Sequence, residues 1–369
     1  MMQKLILVFI LAAAGVGVFF FFFPQSATEP LPSPEENGDE IPAVSIVAEN
    51  LEIPWDIAFL PDGEMLVTER GGRILLIGED GGRQEIARKD IVHRGEGGLL
   101  GLTLHPNFPN NRLLYLYMTA EASDGGLQNR VVRYRLTNNA LEEDRVIIEG
   151  IPGAPYHDGG RIEFGPDGKL YITTGDATVT RLAQDLSSLA GKILRLHEDG
   201  SIPKDNPFGT AIYSYGHRNP QGLAWDSTGR LWQTEHGRSG VLSGLDEINI
   251  IRSSENYGWP ESEGDRAAAG TISPILHSGA DDTWAPASAV ILGNSLFFGG
   301  LRGEALYEAI LDGERVVELK THFKNEFGRI RTVRVGPDGM LYLTTSNRDG
   351  RGAVHSGDDK IIRINLELL

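Results

Sequence analysis

Six glycine-rich loops carry the side chains that could do chemistry: RGEGGLLG around Glu96, YHDGGR around His157, TTGDA around Asp176, YGHRNPQG around Arg218, TEHG around His236 and GRIR around Arg329. Their stock is imidazoles, which ordinarily titrate at about 6.5 and accept a proton near neutral pH, guanidiniums, whose forked donors match carboxylates, and carboxylates that can orient either. Singly, a histidine or arginine in such a loop is more often a solvated or structural residue than a catalytic one. The set gains meaning only if the fold brings the loops together.

The elements that must do so announce themselves by repetition. FLPDGEMLVT from Phe59, HPNFPNNRLLYLY from His105, FGPDGKLY from Phe164, WDSTGRLWQT from Trp225 and VGPDGMLYLTT from Val335 each place a turn of Pro, Asp, Asn and Gly ahead of an alternating apolar run. Proline presets φ, aspartate closes a local side-chain turn, and glycine takes the positive φ of a tight strand connection. The residues that follow, such as Leu66, Val67 and Thr68, or Leu341, Tyr342 and Leu343, suit half-buried strands. The gap between the last two starts is nearly twice its neighbours, so a diverged copy is expected near ILGNSLFFGG at Ile291. Six units of this period predict an all-β chain: a six-bladed β-propeller of four-stranded antiparallel blades. Loops at one end of successive blades would then converge on the central channel. A β-sandwich with coincidental turns is the competing architecture.

At 369 residues the chain suffices for one such domain, expected over residues 43–369. A net charge of −17 argues against a nucleic-acid partner, because no basic stripe is present to neutralise phosphates. Zero cysteines exclude disulfides and thiolate metal sites. Leu5 to Phe23 is free of charge, follows Lys4 and ends in five phenylalanines, so residues 1–23 read as a signal peptide or membrane anchor. Residues 24–42, with five prolines and five acidic residues, read as a disordered tether. The folded domain is expected outside the cytoplasm: periplasmic, secreted or membrane-anchored.

Long motifs in order carry a resemblance: PWDIAFLPDG at 54–63, GEGGLLGLTLHPNF at 95–108, HDGGRIEFGPDGKLYITTGD at 157–176, GHRNPQGLAWD at 216–226, and DEINII with NYGWPE at 246–261. From about Ile53 to Ile364 the chain resembles the soluble quinoprotein glucose/sorbosone dehydrogenase family, in its aldose sugar dehydrogenase branch. The resemblance implies a six-bladed propeller that uses pyrroloquinoline quinone (PQQ) and calcium to oxidise the C1 hydroxyl of aldoses and passes the electrons to an acceptor of unknown identity.

By that resemblance His157 is the catalytic base, Asp176 the carboxylate that holds it, and Arg218 and Asn219 contact the quinone, with Arg218 stabilising growing negative charge. Arg329 and Arg331 match carboxylate-binding arginines; Arg302 stands where the best-known members have lysine, and His236 where glucose-oxidising members have glutamine near the cofactor. Glu96 and Asp158 are implied sugar contacts. Calcium ligands map to the carbonyls of Gly237 and Arg238, the latter replacing a proline, and a second, structural calcium site maps to Glu247 and Tyr257. Two other functions compete with this one. A non-catalytic propeller that binds a carbohydrate or protein needs no base, orienter and cation clamps together. A lactone hydrolase needs a channel cage of carboxylates and asparagines in place of these histidine and arginine loops.

Overall fold

The computed structural model describes residues 42–240 and 244–368, so the expected export segment and most of the tether lie outside the described residues. Strand β1 (Val44–Ala48) is held back for the end of the fold. The first blade is β2 (Pro54–Phe59), β3 (Met65–Glu69), β4 (Arg73–Ile77) and β5 (Arg83–Arg88). The second is β6 (Leu99–Leu104), β7 (Leu113–Glu121), β8 (Leu127–Thr137) and β9 (Ala140–Gly153). The third comprises β10 (Ile162–Phe164), β11 (Leu170–Thr174), β12 (Lys192–Leu196) and β13 (Ile212–Tyr215). The fourth comprises β14 (Pro220–Trp225), β15 (Leu231–Glu235), β16 (Glu247–Ile251) and β17 (Leu276–His277). In the fifth are β18 (Pro286–Leu292), β19 (Ser295–Gly300), β20 (Ala305–Asp312) and β21 (Arg315–His322). The sixth pairs β22 (Ile330–Val335), β23 (Leu341–Thr345) and β24 (Ile361–Ile364) with β1, in the order β1-β24-β23-β22. All the pairings are antiparallel, and Val44 opposite Ile364 closes the ring with both ends of the domain. The chain is a six-bladed β-propeller.

Every repeat seen in the sequence is the hairpin between the first two strands of a blade, and the diverged copy at Ile291 is the β18–β19 hairpin. The turn chemistry is as expected. Asp167, Asp226 and Asp338 each accept the backbone N–H two residues on, at 2.9–3.1 Å, and Gly168, Gly229 and Gly339 take φ of +69°, +84° and +77°. The second repeat departs from this pattern, inserting a single helical turn at Phe108–Asn111.

Antiparallel order assigns each loop to an end. The Asp-Gly hairpins share one end with the loops from third to fourth strands. The opposite end collects the loops from second to third strands and the connections that enter each new blade. All six chemistry-bearing loops belong to that opposite end.

Buried side chains form six wedges, one between each pair of adjacent blades. Thr68 Oγ1 donates to Leu100 O in the next blade at 2.7 Å, Thr234 Oγ1 to Ala287 O at 2.7 Å, and Thr332 Oγ1 to Trp55 O at 2.6 Å. Each such bond satisfies a carbonyl that the interface would otherwise strand away from water. The blades therefore hold their angular positions, and with them the loops at each end.

Candidate active site

The connections that enter the second, third, fifth and sixth blades, and the β11–β12, β15–β16, β19–β20 and β23–β24 loops, surround an open cavity of about 980 Å³. His157, Glu96, His236, Gly237, Arg238, Arg302 and Arg329 line it. A smaller cavity of about 290 Å³ adjoins it toward the inner strands, with Asp158, Arg331, Trp55 and Gln221 in its wall. Asp176, Arg218 and Asn219 stand immediately behind, bonded to residues of the lining. Glu247 and Tyr257 line neither cavity.

His157 sits at φ +63°, a left-handed conformation uncommon for a non-glycine residue. The surroundings enforce it. Its N–H donates to Glu96 Oε2 at 3.1 Å, its carbonyl accepts from Ala177 N at 3.2 Å, and a Cβ at Gly175 would lie 1.8 Å from that carbonyl. Only glycine at position 175 lets the two loops approach this closely. His157 Nδ1 then lies 2.7 Å from Asp176 Oδ1. With its Nδ1–H given to the carboxylate, Nε2 is left as the acceptor, the tautomer a general base requires.

Asp176 is buried and fully engaged: Oδ1 also accepts from Thr178 N at 2.8 Å, Oδ2 accepts from Trp259 Nε1 at 2.8 Å, and its own N–H donates to Arg218 O at 2.8 Å. The Arg218 backbone N–H donates to Glu235, and its side chain reaches Ser239 Oγ at 2.9 Å and the His236 carbonyl at 3.4 Å. Burial lowers the Arg218 pKa, with Asp176 opposing. Asn219 Oδ1 accepts Gly159 N at 3.0 Å. Burial draws the His236 imidazole down to about 4, against the pull of Asp246 and Glu96, so it is neutral at neutral pH.

Arg331 is buried in the inner cavity, with Nη1 2.9 Å from Gln221 Oε1 and its guanidinium over the Trp55 ring at 5.6 Å. Burial, then the nearby Arg70, push it down to about 9. Arg329 differs from a waiting clamp. Its Nη2 meets Asp349 Oδ2 at 2.6 Å and its Nη1 meets Leu301 O at 2.8 Å, so a carboxylate of its own already occupies it. Asp158 presents one carboxyl oxygen to Asn129 Nδ2 at 2.9 Å and Ala154 N at 3.1 Å. Burial pushes the Asp158 carboxyl up to about 7, and the charge of Glu96 adds to the push.

A family model described as Glucose / Sorbosone dehydrogenase matches residues 51–362. The chain belongs to the glucose/sorbosone dehydrogenase family. The PQQ-bound aldose sugar dehydrogenase of Streptomyces coelicolor is 38% identical and superposes with a TM-score of 0.81 over 88% of this chain and 99% of that one. A Thermus thermophilus protein assigned as an oxidoreductase (glucose dehydrogenase) is 47% identical, with a TM-score of 0.82 over 87% and 99%. The aldose sugar dehydrogenase YliI of Escherichia coli is 33% identical over 83% of this chain and 91% of its own length.

The side chains fit the family's quinone. Arg218 Nε, Asn219 Nδ2, His236 Nε2, Arg331 Nε and Asp158 Oδ2 are buried without a hydrogen-bond partner among the described residues, and leaving such groups unpaired costs about 1–3 kcal/mol each. Four of the five are N–H donors or a neutral imidazole, the groups that a polyanionic, carbonyl-rich ligand would satisfy. For calcium, no group of three or more His, Cys, Asp or Glu able to hold a metal is present among the described residues. The backbone oxygens of Gly237 and Arg238 at the cavity wall are hard donors of the right kind. The Arg238 guanidinium is drawn to Glu263, at 3.3 Å, which offsets the cationic side chain introduced there.

At the second candidate metal position, Glu247 accepts from Gly264 N and Asn249 Nδ2, both at 3.1 Å. The Tyr257 ring stacks on His217 with centroids 4.8 Å apart, and its hydroxyl donates to Ile250 O at 2.5 Å.

Two site residues escaped the sequence reading. Trp259 lay within NYGWPE, a motif read only for its tyrosine, and Arg351 lay in the unread glycine-rich stretch NRDGRG. Both are identified by what they touch.

Proposed function

We propose that this chain oxidises aldose sugars at the C1 hydroxyl to the lactone, with pyrroloquinoline quinone as oxidant and calcium beside it, outside the cytoplasm. One observation carries the reading: a base tautomerically set by Asp176 lines the outer cavity beside His236, the adjoining inner cavity holds Arg331, and the unpartnered groups of Arg218 and Asn219 stand directly behind their shared wall.

Arg331 and Arg218 would hold the quinone's charged and carbonyl oxygens, Asn219 would donate to it, Arg302 would stand at the outer wall, and the carbonyls of Gly237 and Arg238 would hold calcium. When bound, the quinone supplies an electrophilic carbon that accepts hydride. His157 Nε2 takes the proton of the sugar's C1 hydroxyl as the C1 hydrogen leaves, and Asp176 stabilises the imidazolium that results. Arg218 lowers the energy of negative charge developing on the oxidant, as fixed donors do in a water-poor site. Glu96 anchors the His157 backbone through its Oε2 and offers acceptors to sugar hydroxyls, with Asp158 a second polar contact.

The test mixes purified protein with the quinone and calcium and follows aldose-dependent bleaching of an artificial electron-acceptor dye, with His157→Ala alongside. Activity in the wild type and its loss in the variant support the assignment. Full activity in the variant removes His157 as base, and no activity with any aldose turns the reading toward a binding propeller.

A further inference from the structure

Asp176 holds His157 through Oδ1, and its other oxygen is held by a residue from a different blade. Trp259 Nε1 donates to Asp176 Oδ2 at 2.8 Å. The face of the same indole lies 5.4 Å from the Arg218 guanidinium carbon, within cation–π range. Asp176 N in turn donates to Arg218 O at 2.8 Å. Base, orienting carboxylate, indole and arginine thus form a closed circuit drawn from separate loops.

The indole is itself fixed. Its backbone N–H donates to Gly216 O at 2.9 Å, two residues before Arg218, and its carbonyl accepts from Gln184 Nε2 at 2.7 Å. Gln184 and Asn256 exchange amide bonds at 2.8 and 3.0 Å, tying the β11–β12 loop to the segment that carries Trp259. A ring needed only to fill space has no use for an N–H aimed at a buried carboxylate.

We propose that Trp259 is a positioning residue that holds the His157–Asp176 base and the Arg218 guanidinium in one fixed relation, acting on the first through its N–H and on the second through its ring face. This rests on the reading of His157 as base. The N–H also competes with the imidazolium for the negative charge of Asp176. Removing it leaves more of that charge to His157, so the imidazole should titrate at higher pH. The charged groups facing this unit are Glu96, which accepts the His157 N–H, and Arg218, itself surrounded by Asp176, Glu235, Glu96 and Asp246.

Trp259→Phe keeps the ring face and deletes only the donor. The wild type and the variant are compared in two ways: the ring-proton NMR titration of His157 in the cofactor-free protein, and kcat and KM with quinone, calcium and aldose. The expected results are an upward shift of the His157 titration and of the acid limb of kcat, and a kcat lower by about tenfold at little change in KM. That loss is a fraction of the roughly 10² to 10⁴ that a positioned base supplies, as expected when the base is kept and only its support is weakened. In an Asp176→Asn background the same substitution should cost nothing further. Should Trp259→Phe fold poorly, the indole N–H resonance of the wild type serves instead, since it must move with pH in step with His157. An unmoved titration with unchanged kcat, equal losses in both backgrounds, or an indole resonance indifferent to pH overturns the proposal. If the wild type oxidises no aldose yet the titration shifts, the functional reading fails and the positioning role stands.

Discussion

Arg351 Nη1 meets Glu96 Oε1 at 2.8 Å across 255 residues of sequence, joining the last blade's loop to the connection that enters the second. Arg351 also lies over the ring of Tyr156, with its guanidinium carbon 5.4 Å from the centroid. Burial works against the Glu96 carboxylate, but His236, Arg351 and the His157 amide hold it below the usual carboxylate range. The Arg351 side chain is 48% exposed, so the pair contributes little to folding, at most about 1 kcal/mol. Its consequence is positional: it steadies the carboxylate that anchors His157. Arg351→Ala should lower kcat/KM by about fivefold, the equivalent of about 1 kcal/mol, while thermal unfolding moves little. Steady-state kinetics beside calorimetry separates the two.

His157→Asn should leave stability within about 1 kcal/mol of wild type, because asparagine is among the residues that best tolerate the left-handed backbone found there. Loss of the imidazole should cost kcat about 10² to 10⁴. Dye-reduction kinetics paired with urea unfolding measures both, and retained activity would count against the assigned base.

Asp158 makes stability pH-dependent in a stated direction. Burial, reinforced by Glu96, raises its folded-state value to about 7, against about 4 when unfolded. The folded protein therefore binds the extra proton, and the contribution is complete below about pH 4 and lost as pH rises through about 7. The full change is of the order of 4 kcal/mol. Asp158→Asn removes it, so urea-unfolding curves of wild type and variant should draw apart between about pH 4 and about pH 7, with the variant favoured at the alkaline end.

Arg331 is a buried cation whose Nε has no partner among the described residues, and removing such a charge often leaves a protein as stable or more so. Arg331→Met should match or exceed the wild type in thermal stability without the quinone and bind the quinone at least about tenfold more weakly, as the loss of one charge-assisted hydrogen bond implies. Fluorescence titration with the quinone, set against the melting curve of the cofactor-free protein, checks the pair of expectations.

The repeat hairpins were legible because their causes are local. Asp167 and Gly168 need only their near neighbours to make a turn, and the alternation after them needs only one buried face. Even the diverged copy at Ile291 could be inferred from spacing. His157 and Asp176 lie 19 residues apart, on either side of one hairpin, so motif resemblance sufficed to name both.

What the local pattern could not supply was which distant groups face each other. The pairing of Val44 with Ile364 closes the ring, and the angular spacing of six blades then sets every contact across the channel. Arg329 reads in sequence as a clamp for a ligand, yet its fork is taken by Asp349. Trp259 reads as part of a motif, yet its N–H lands on Asp176, 83 residues away. Turn and strand propensities are short-range energies written in adjacent residues, whereas the site is an arrangement of side chains whose separation depends on the curvature of the closed sheet ring.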